Sequence, residues 1–418
     1  MISELTTTQT LTDFYENMRL LHKIRTNILN SILNSESISI KDLISLERIK
    51  HAIEDIPKEN GKYKLQSSQG ADIFLELDYE LGELKKDNIF LKYGHRALKK
   101  HMTKIHPNYL KEVDDGLNFL KKYEFEHFIT DRDGTVSNYC GRYLSSIQSI
   151  YNALSLSEFS KTIQGRCLIL TSAPLLNNGL KEVSIQPENE YILSGSKGRE
   201  IIINGKNHTL PIKENEQQKL DELNQKISKL LNQQEFSVFR HIGSGYQQKF
   251  GQITLARQDK NNSIAQHKSL ELKQNVLNIV DRIDPEKVYF GVEDTGQDLE
   301  IMLKVKSDDN QLKEFDKGHG LKFIMQELNE NIDNRTVLIC GDTASDVPML
   351  KAAQELGAEV ISVFVTEDEE LKSSVKSICK QSYFVSSPDA LIYMLFKYSK
   401  KQDSWNPLSL FLSLVNKL

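Results

Sequence analysis

The segment FEHFITDRDGT, residues 125–135, runs an apolar stretch straight into two aspartates, Asp131 and Asp133, and then into Gly-Thr. Aspartate is a poor strand residue, so a strand that ends on two of them has a use for them. Residues i and i+2 of a strand point the same way. The spacing therefore sets the two carboxylates side by side and aims Arg132 elsewhere. Carboxylates held that close repel each other unless a cation or a proton intervenes. Taken alone, the motif could also be a polar turn with both acids solvated.

Three further signals bear on the choice. LILTSAP puts Thr171 and Ser172 directly after an apolar run, FDKGHGLKFI puts Lys317 at a helix start, and VLICGDTASDVPML puts Asp342 and Asp346 just after another apolar run. Each alone has a bland counterpart: a turn or cap, a solvated lysine, an N-cap with an acid at i+4.

The surrounding elements place all of these at strand ends. From residue 125 short apolar runs (FEHFIT, RCLILTS, YILSG, TVLICGD, AEVISVFV, YFV) alternate with helical patterns such as RYLSSIQSIYNAL. That alternation predicts a parallel α/β sheet, in which ligands bind beyond the carboxyl ends of the strands. Between about 205 and 312 a polar helix precedes strand-like segments with Gly-rich turns. There DLEIMLKV alternates so that Glu300 and Lys304 share one face. Residues from about 10 to 120 read as helical, with apolar spacing of 3–4 in Leu11, Phe14, Met18 and Leu21, a stop at Pro57, a spacer NGKYKLQSSQGA and a third helical run DIFLELDYELGEL. No catalytic constellation appears in this region, which reads as a helical scaffold.

Composition narrows the classes. The 418 residues carry 53 basic and 58 acidic side chains, a net charge of -5, so the basic surplus of a nucleic-acid binder is missing. No apolar run reaches the length of a membrane span. The first residues lack the basic start and apolar core of a secretory signal. The four cysteines, Cys140, Cys167, Cys340 and Cys379, show no metal spacing and read as free thiols. Together these point to a cytoplasmic protein.

In the order D-x-D-G-T, Ser/Thr, Lys, G-D-x-x-x-D, the signals resemble the haloacid dehalogenase superfamily of phosphatases from about residue 125 to 396. The resemblance implies a Rossmann-like parallel sheet core with an inserted α+β cap domain, here joined to an N-terminal helical domain. The expected division is 1–120 helical, 121–205 core, 206–312 cap and 313–418 core. It further implies Mg²⁺ bound by Asp131, Asp342 and the Asp133 carbonyl with Asp346 in support, Asp131 as nucleophile, Asp133 as acid and base, and Ser172 (or Thr171) with Lys317 on the phosphate. DRDGTVSNYCGRYLSSIQSIYNA, LTSAPL, SGSKGREI and LARQD are similar to the nematode type of trehalose-6-phosphate phosphatase; an arginine between the aspartates is unusual for the superfamily at large. The substrate implied is trehalose 6-phosphate, recognised by cap residues among Lys249, Arg257, Gln258, Glu293, Glu300 and Lys304. Other readings are a phosphatase for another sugar phosphate, or a helical adaptor with a vestigial core. Nematode-type members carry an N-terminal helical domain, which implies a protein partner or self-association through that region.

Overall fold

The computed structural model describes residues 8–66, 70, 72–176, 179–259, 262, 264–306 and 312–400. Helix α1 (Leu11–Leu33) starts at a reciprocal cap: the Thr10 hydroxyl accepts from the Asp13 N–H at 3.1 Å and the Asp13 carboxylate accepts from the Thr10 N–H at 2.8 Å. Helix α2 (Ile40–Glu54) returns along it. The next stretch departs from the sequence expectation. NGKYKLQ is not a spacer and DIFL is not helical. They form a small antiparallel sheet of β1 (Lys58–Glu59), β2 (Lys62–Gln66) and β3 (Asp72–Leu75). Asn60-Gly61 supplies the two-residue turn, both with positive φ (51° and 80°), the geometry that a tight hairpin requires and that Asn-Gly favours. Helix α3 (Asp78–Ile105), interrupted at Gly94, and α4 (Tyr109–Leu120) complete the N-terminal part.

The core sheet follows. Its strands are β4 (His127–Thr130), β5 (Cys167–Leu170), β6 (Ile192–Gly195), β7 (Glu200–Ile203) and β8 (Lys206–Thr209), with α5 (Ile150–Ser160) and the short α6 (Leu180–Val183) between them. Thus the core keeps residues 206–209. The cap then runs α7 (Glu214–Leu230), β9 (Tyr246–Lys249), β10 (Gln252–Ala256), α8 (Gln266–Ile283), β11 (Phe290–Asp294) and β12 (Asp298–Leu303). A two-stranded ribbon, β13 (Val305–Lys306) and β14 (Leu312–Lys313), leads back. The core resumes with α9 (Lys317–Glu327), β15 (Thr336–Gly341), α10 (Val347–Glu355), β16 (Glu359–Val365), α11 (Glu369–Ile378), β17 (Ser382–Val385) and α12 (Pro388–Ser399).

The core strands lie in the order β17-β16-β15-β4-β5-β6-β7-β8, parallel from β17 to β6 and antiparallel through β7 and β8. Crossover helices cover both faces, so each central strand is apolar throughout. On one face α9, α10 and α11 pack on Ile129, Val337 and Ile339. On the other, a single apolar cluster joins Leu156, Phe159, Leu391 and Leu395 to Phe14, Met18, Ile28, Leu84 and Leu98 of the N-terminal helices. The N-terminal region thus shares its core with the sheet. The four cap strands, ordered β11-β12-β10-β9, are all antiparallel. Ile253, Leu255, Leu299 and Ile301 pack under α7 and α8, which leaves the opposite face for other use. All four cysteines are buried thiols. No helix among the described residues is long and apolar enough to cross a membrane.

One predicted helix is shorter than its pattern. RYLSSIQSIYNAL becomes helical only from Ile150; before it come a single 3-10 turn, Tyr143–Ser145, and chain without regular structure. The Ser145 hydroxyl donates to Glu80 of α3 and the Gln148 side-chain oxygen accepts from the Ile185 N–H, tertiary bonds that override local propensity.

Candidate active site

The chemistry-bearing residues meet where β4, β5 and β15 end. Asp131 follows β4, and its backbone N–H still bonds the Cys340 carbonyl of β15 at 3.0 Å. Asp342 follows β15 directly, and Asp346 closes a 3-10 turn in front of α10. Oxygens of Asp131, Asp342 and Asp346 lie within 4.8 Å of one another. Gly134 makes this approach feasible. Its φ is +90°, and a Cβ there would sit 2.1 Å from the Asp342 carboxylate. Thr135 donates from its hydroxyl to Asp342 at 3.0 Å and to Asp131 at 3.3 Å.

Among the described residues a single ammonium faces the three carboxylates. Lys317, at the start of α9, donates to Asp131 at 2.5 Å and to Asp346 at 2.5 Å. Asp346 is further held by the N–H groups of Asp342 and Thr343, both at 3.0 Å. The surplus of negative charge appears in the ionisation of the other two. Burial pushes the Asp131 carboxyl up to about 7, Lys317 opposing and Asp346 adding to the rise. Asp342 is pushed well above its ordinary range by burial and by Asp131 and Asp346. Burial works against the Lys317 charge, yet Asp131 and Asp346 hold it above the usual lysine range. Carboxylate oxygens alone form the donor set, which suits a hard divalent cation.

Asp133 stands half-buried, and here the sequence expectation is corrected. Arg132 is not aimed elsewhere. Its buried guanidinium turns back to Asp133 at 2.5 Å and also donates to the hydroxyl (2.9 Å) and carbonyl of Ser146. Thr171 is buried, and its hydroxyl accepts from the Ala173 N–H at 3.2 Å. Ser172 is half-buried, and its hydroxyl has no hydrogen-bond partner among the described residues.

The inner cap face supplies the roof. Glu300 accepts from Gln252 at 3.2 Å and from Lys197 of the core at 2.8 Å, so one ion pair ties cap to core. Lys249, buried at the end of β9 two strands away, has its ammonium lowered by burial, partly offset by Glu300; Lys197 and Lys317 also bear on it. Glu293 pairs in register with Glu300. The remaining cap candidates are used elsewhere. Arg257 binds Asp294 at 2.7 Å and Ser269 at 2.9 Å. Gln258 donates to the Ile264 carbonyl at 2.8 Å and accepts from the Ile264 N–H at 2.9 Å. Lys304 lies past the end of β12, and its ammonium meets the Lys287 carbonyl at 2.7 Å, so it does not join Glu300. Lys197 was not a sequence candidate. SGSKG at a strand end was the signal, and a lone lysine is ordinarily a solvated charge. Here Ser196 and Lys197 take left-handed φ values of 52° and 60°, uncommon for such residues, and this turn points Lys197 at the cap.

The C-terminal domain profile of trehalose-6-phosphate phosphatase matches residues 128–391, which include every residue of this rim. The chain belongs to that family. The profile of the family's N-terminal helical bundle domain matches residues 10–109. Over 409 residues the chain is 32% identical to alpha,alpha-trehalose-phosphate synthase [UDP-forming] 2 of Aphelenchoides avenae, covering 91% of this chain and 31% of that protein. It is 28% identical over 415 residues to a trehalose-phosphatase of Caenorhabditis elegans, covering 91% and 94%. The chain spans about a third of the length of the first curated relatives it matches. A solved C-terminal domain of the trehalose-6-phosphate phosphatase of C. albicans covers 69% of this chain and 96% of its own at 13% identity, with a TM-score of 0.46, too low for its site to be carried across.

Proposed function

We propose that the chain hydrolyses trehalose 6-phosphate to trehalose and phosphate with Mg²⁺ as cofactor. The observation that carries this reading is the rim itself: three clustered carboxylates facing one lysine, in a chain of the trehalose-6-phosphate phosphatase family. Mg²⁺ held by Asp131, Asp342 and the Asp133 carbonyl, with Asp346 in support, would offset charge between nucleophile and phosphate. Asp131 attacks phosphorus through a carboxylate oxygen as the bond to the sugar oxygen breaks. Asp133 gives that oxygen its proton, then takes one from the water that splits the aspartyl-phosphate. Lys317 and the Ser172 hydroxyl hold phosphate oxygens as charge develops.

Glu300, Lys249 and Glu293 are the cap residues that would bond the sugar. Hydrogen bonds to the sugar hydroxyls suffice for that role. The four buried free thiols support a cytoplasmic setting. The test is phosphate release with Mg²⁺ over a panel holding trehalose, glucose and sucrose 6-phosphates. Preference for trehalose 6-phosphate is expected. Preference for another sugar would move the reading to that substrate, and no release from any would leave a vestigial core.

A further inference from the structure

Helix α3 carries three buried carboxylates, Glu80, Glu83 and Asp87, at i, i+3 and i+7, a spacing that puts them on one face. Burying that many acids is costly unless each is bonded. Each one binds the same stretch of chain, residues 138–150, between the nucleophile loop and α5. Glu80 accepts from Arg142 at 2.7 Å and from the Ser145 hydroxyl at 2.5 Å. Glu83 accepts from Asn138 at 3.1 Å. Asp87 accepts from the Ile150 N–H at 2.8 Å, while its partner Arg25 on α1 donates to the Ile147 carbonyl at 2.7 Å. That stretch has almost no regular structure of its own, so ordering it needs outside bonds. Its far side meets the rim. Ser146 is fully buried, its hydroxyl donates to Asp133 at 3.2 Å, and its carbonyl and hydroxyl both take Arg132, which itself holds Asp133.

We propose that the N-terminal bundle is a positioning part of the active site. The carboxylate row of α3 holds residues 138–150 in the arrangement through which Ser146 and Arg132 orient the Asp133 carboxylate. The inference rests on Asp133 as the group that protonates the leaving sugar oxygen. Among the described residues no N-terminal side chain bonds Asp131, Asp133 or Lys317; the bundle acts through Ser146 and Arg132.

A leaving group that departs as a stable anion needs no proton, so a misplaced Asp133 should harm alkyl esters and spare aryl esters. The full-length protein is compared with a Glu80→Gln, Arg142→Gln variant. Removing both charges leaves neither buried and unpaired, so the fold survives while the tether is cut. The reading is kcat/KM, which ends at the first irreversible step, departure of the leaving group. Trehalose 6-phosphate should lose roughly 10-fold, part of the ~10²–10⁴ a general acid supplies, and p-nitrophenyl phosphate less than about 2-fold. Ser146→Ala should show the same selectivity, and the combined variant should lose less than the product of the two, because both act on one chain of contacts. Amide hydrogen exchange should rise across residues 138–149 in the Glu80/Arg142 variant and stay constant in the cap. Equal losses on both substrates, no loss on either, or unchanged exchange would each overturn the proposal. If the unaltered protein prefers another sugar phosphate, the proposed substrate fails, and the same comparison runs on the ester it does use.

Discussion

Asp131 and Asp389 are both buried carboxylates that share a buried lysine with a second acid, yet they are pushed in opposite directions. Asp389, in α12, shares Lys86 with Glu83. It also accepts from Tyr151, from Asn138 at 3.2 Å and, at 3.4 Å, from the His106 ring. Burial alone would raise it; Lys86 and these donors hold it well below the ordinary range. Asp131 shares Lys317 with Asp346, has only Thr135 beside it at 3.3 Å, and faces Asp342 as a third acid. It rises to about 7. The first cluster is completed by protein donors and holds the N-terminal bundle to the core. The second is left one cation short, and that shortfall marks the candidate site.

The comparison breaks most severely at the proposed nucleophile. Asp131→Asn should reduce turnover by at least about 10³-fold while leaving the melting temperature in metal-free buffer unchanged or higher, since one of three crowded charges is gone. A lower melting temperature would mean that the rim is balanced as it stands. Metal removal comes next: EDTA should abolish phosphate release, and restoring Mg²⁺ should return it and raise the melting temperature. Full activity in metal-free buffer would remove the cation from the account.

Lys86→Met attacks the completed cluster. Two buried acids lose their cation, and urea denaturation should show a loss of about 3–5 kcal/mol. A loss below about 1 kcal/mol, the size of a surface pair, would equate this cluster with an exposed ion pair. Glu300→Ala should cost roughly 1–3 kcal/mol in kcat/KM for trehalose 6-phosphate and little for p-nitrophenyl phosphate; equal losses would make Glu300 a brace for the cap rather than a sugar contact.

The smallest effect concerns acid. His95 stacks on Phe396 at 4.2 Å and meets the edge of Phe90 at 4.9 Å. Burial pushes its ring down from 6.5 to about 4. The folded state therefore holds the neutral ring, and the unfolded chain binds the extra proton first. Stability from this site is complete above pH 6.5 and falls as the pH drops from 6.5 to about 4, by on the order of 2 kcal/mol. His95→Phe should flatten that part of the stability profile; an unchanged slope would assign it to other groups.

The rim was legible because its residues sit at strand ends, where local pattern alone places them: Asp131, Lys317, Asp342 and Asp346 were named from apolar runs and spacing and do converge. The three-stranded sheet before α3 was also signalled, by Asn60-Gly61, but its strands are short and lost among helical periodicity. Cap recognition was harder to read. Alternation put Glu300 and Lys304 on one face, and the strand ends at Leu303 before that rule reaches Lys304. Residues 142–149 had a helical pattern and took tertiary bonds instead.

The sequence by itself determined the parallel sheet, the cap inserted into it, and the acids and lysine at the strand ends, because strand alternation and crossover order are short-range properties of the chain. Only the tertiary structure decided that Arg132 turns back onto Asp133, that Lys197 reaches Glu300, and that a row of acids on α3 grips the stretch behind the loop that follows β4. Glu80 and Arg142 are 62 residues apart, and Lys86 and Asp389 are 303. Nothing in local pattern specifies such pairs. A buried charge finds its partner wherever the packed core brings one within reach, since leaving it alone costs more than almost any local preference.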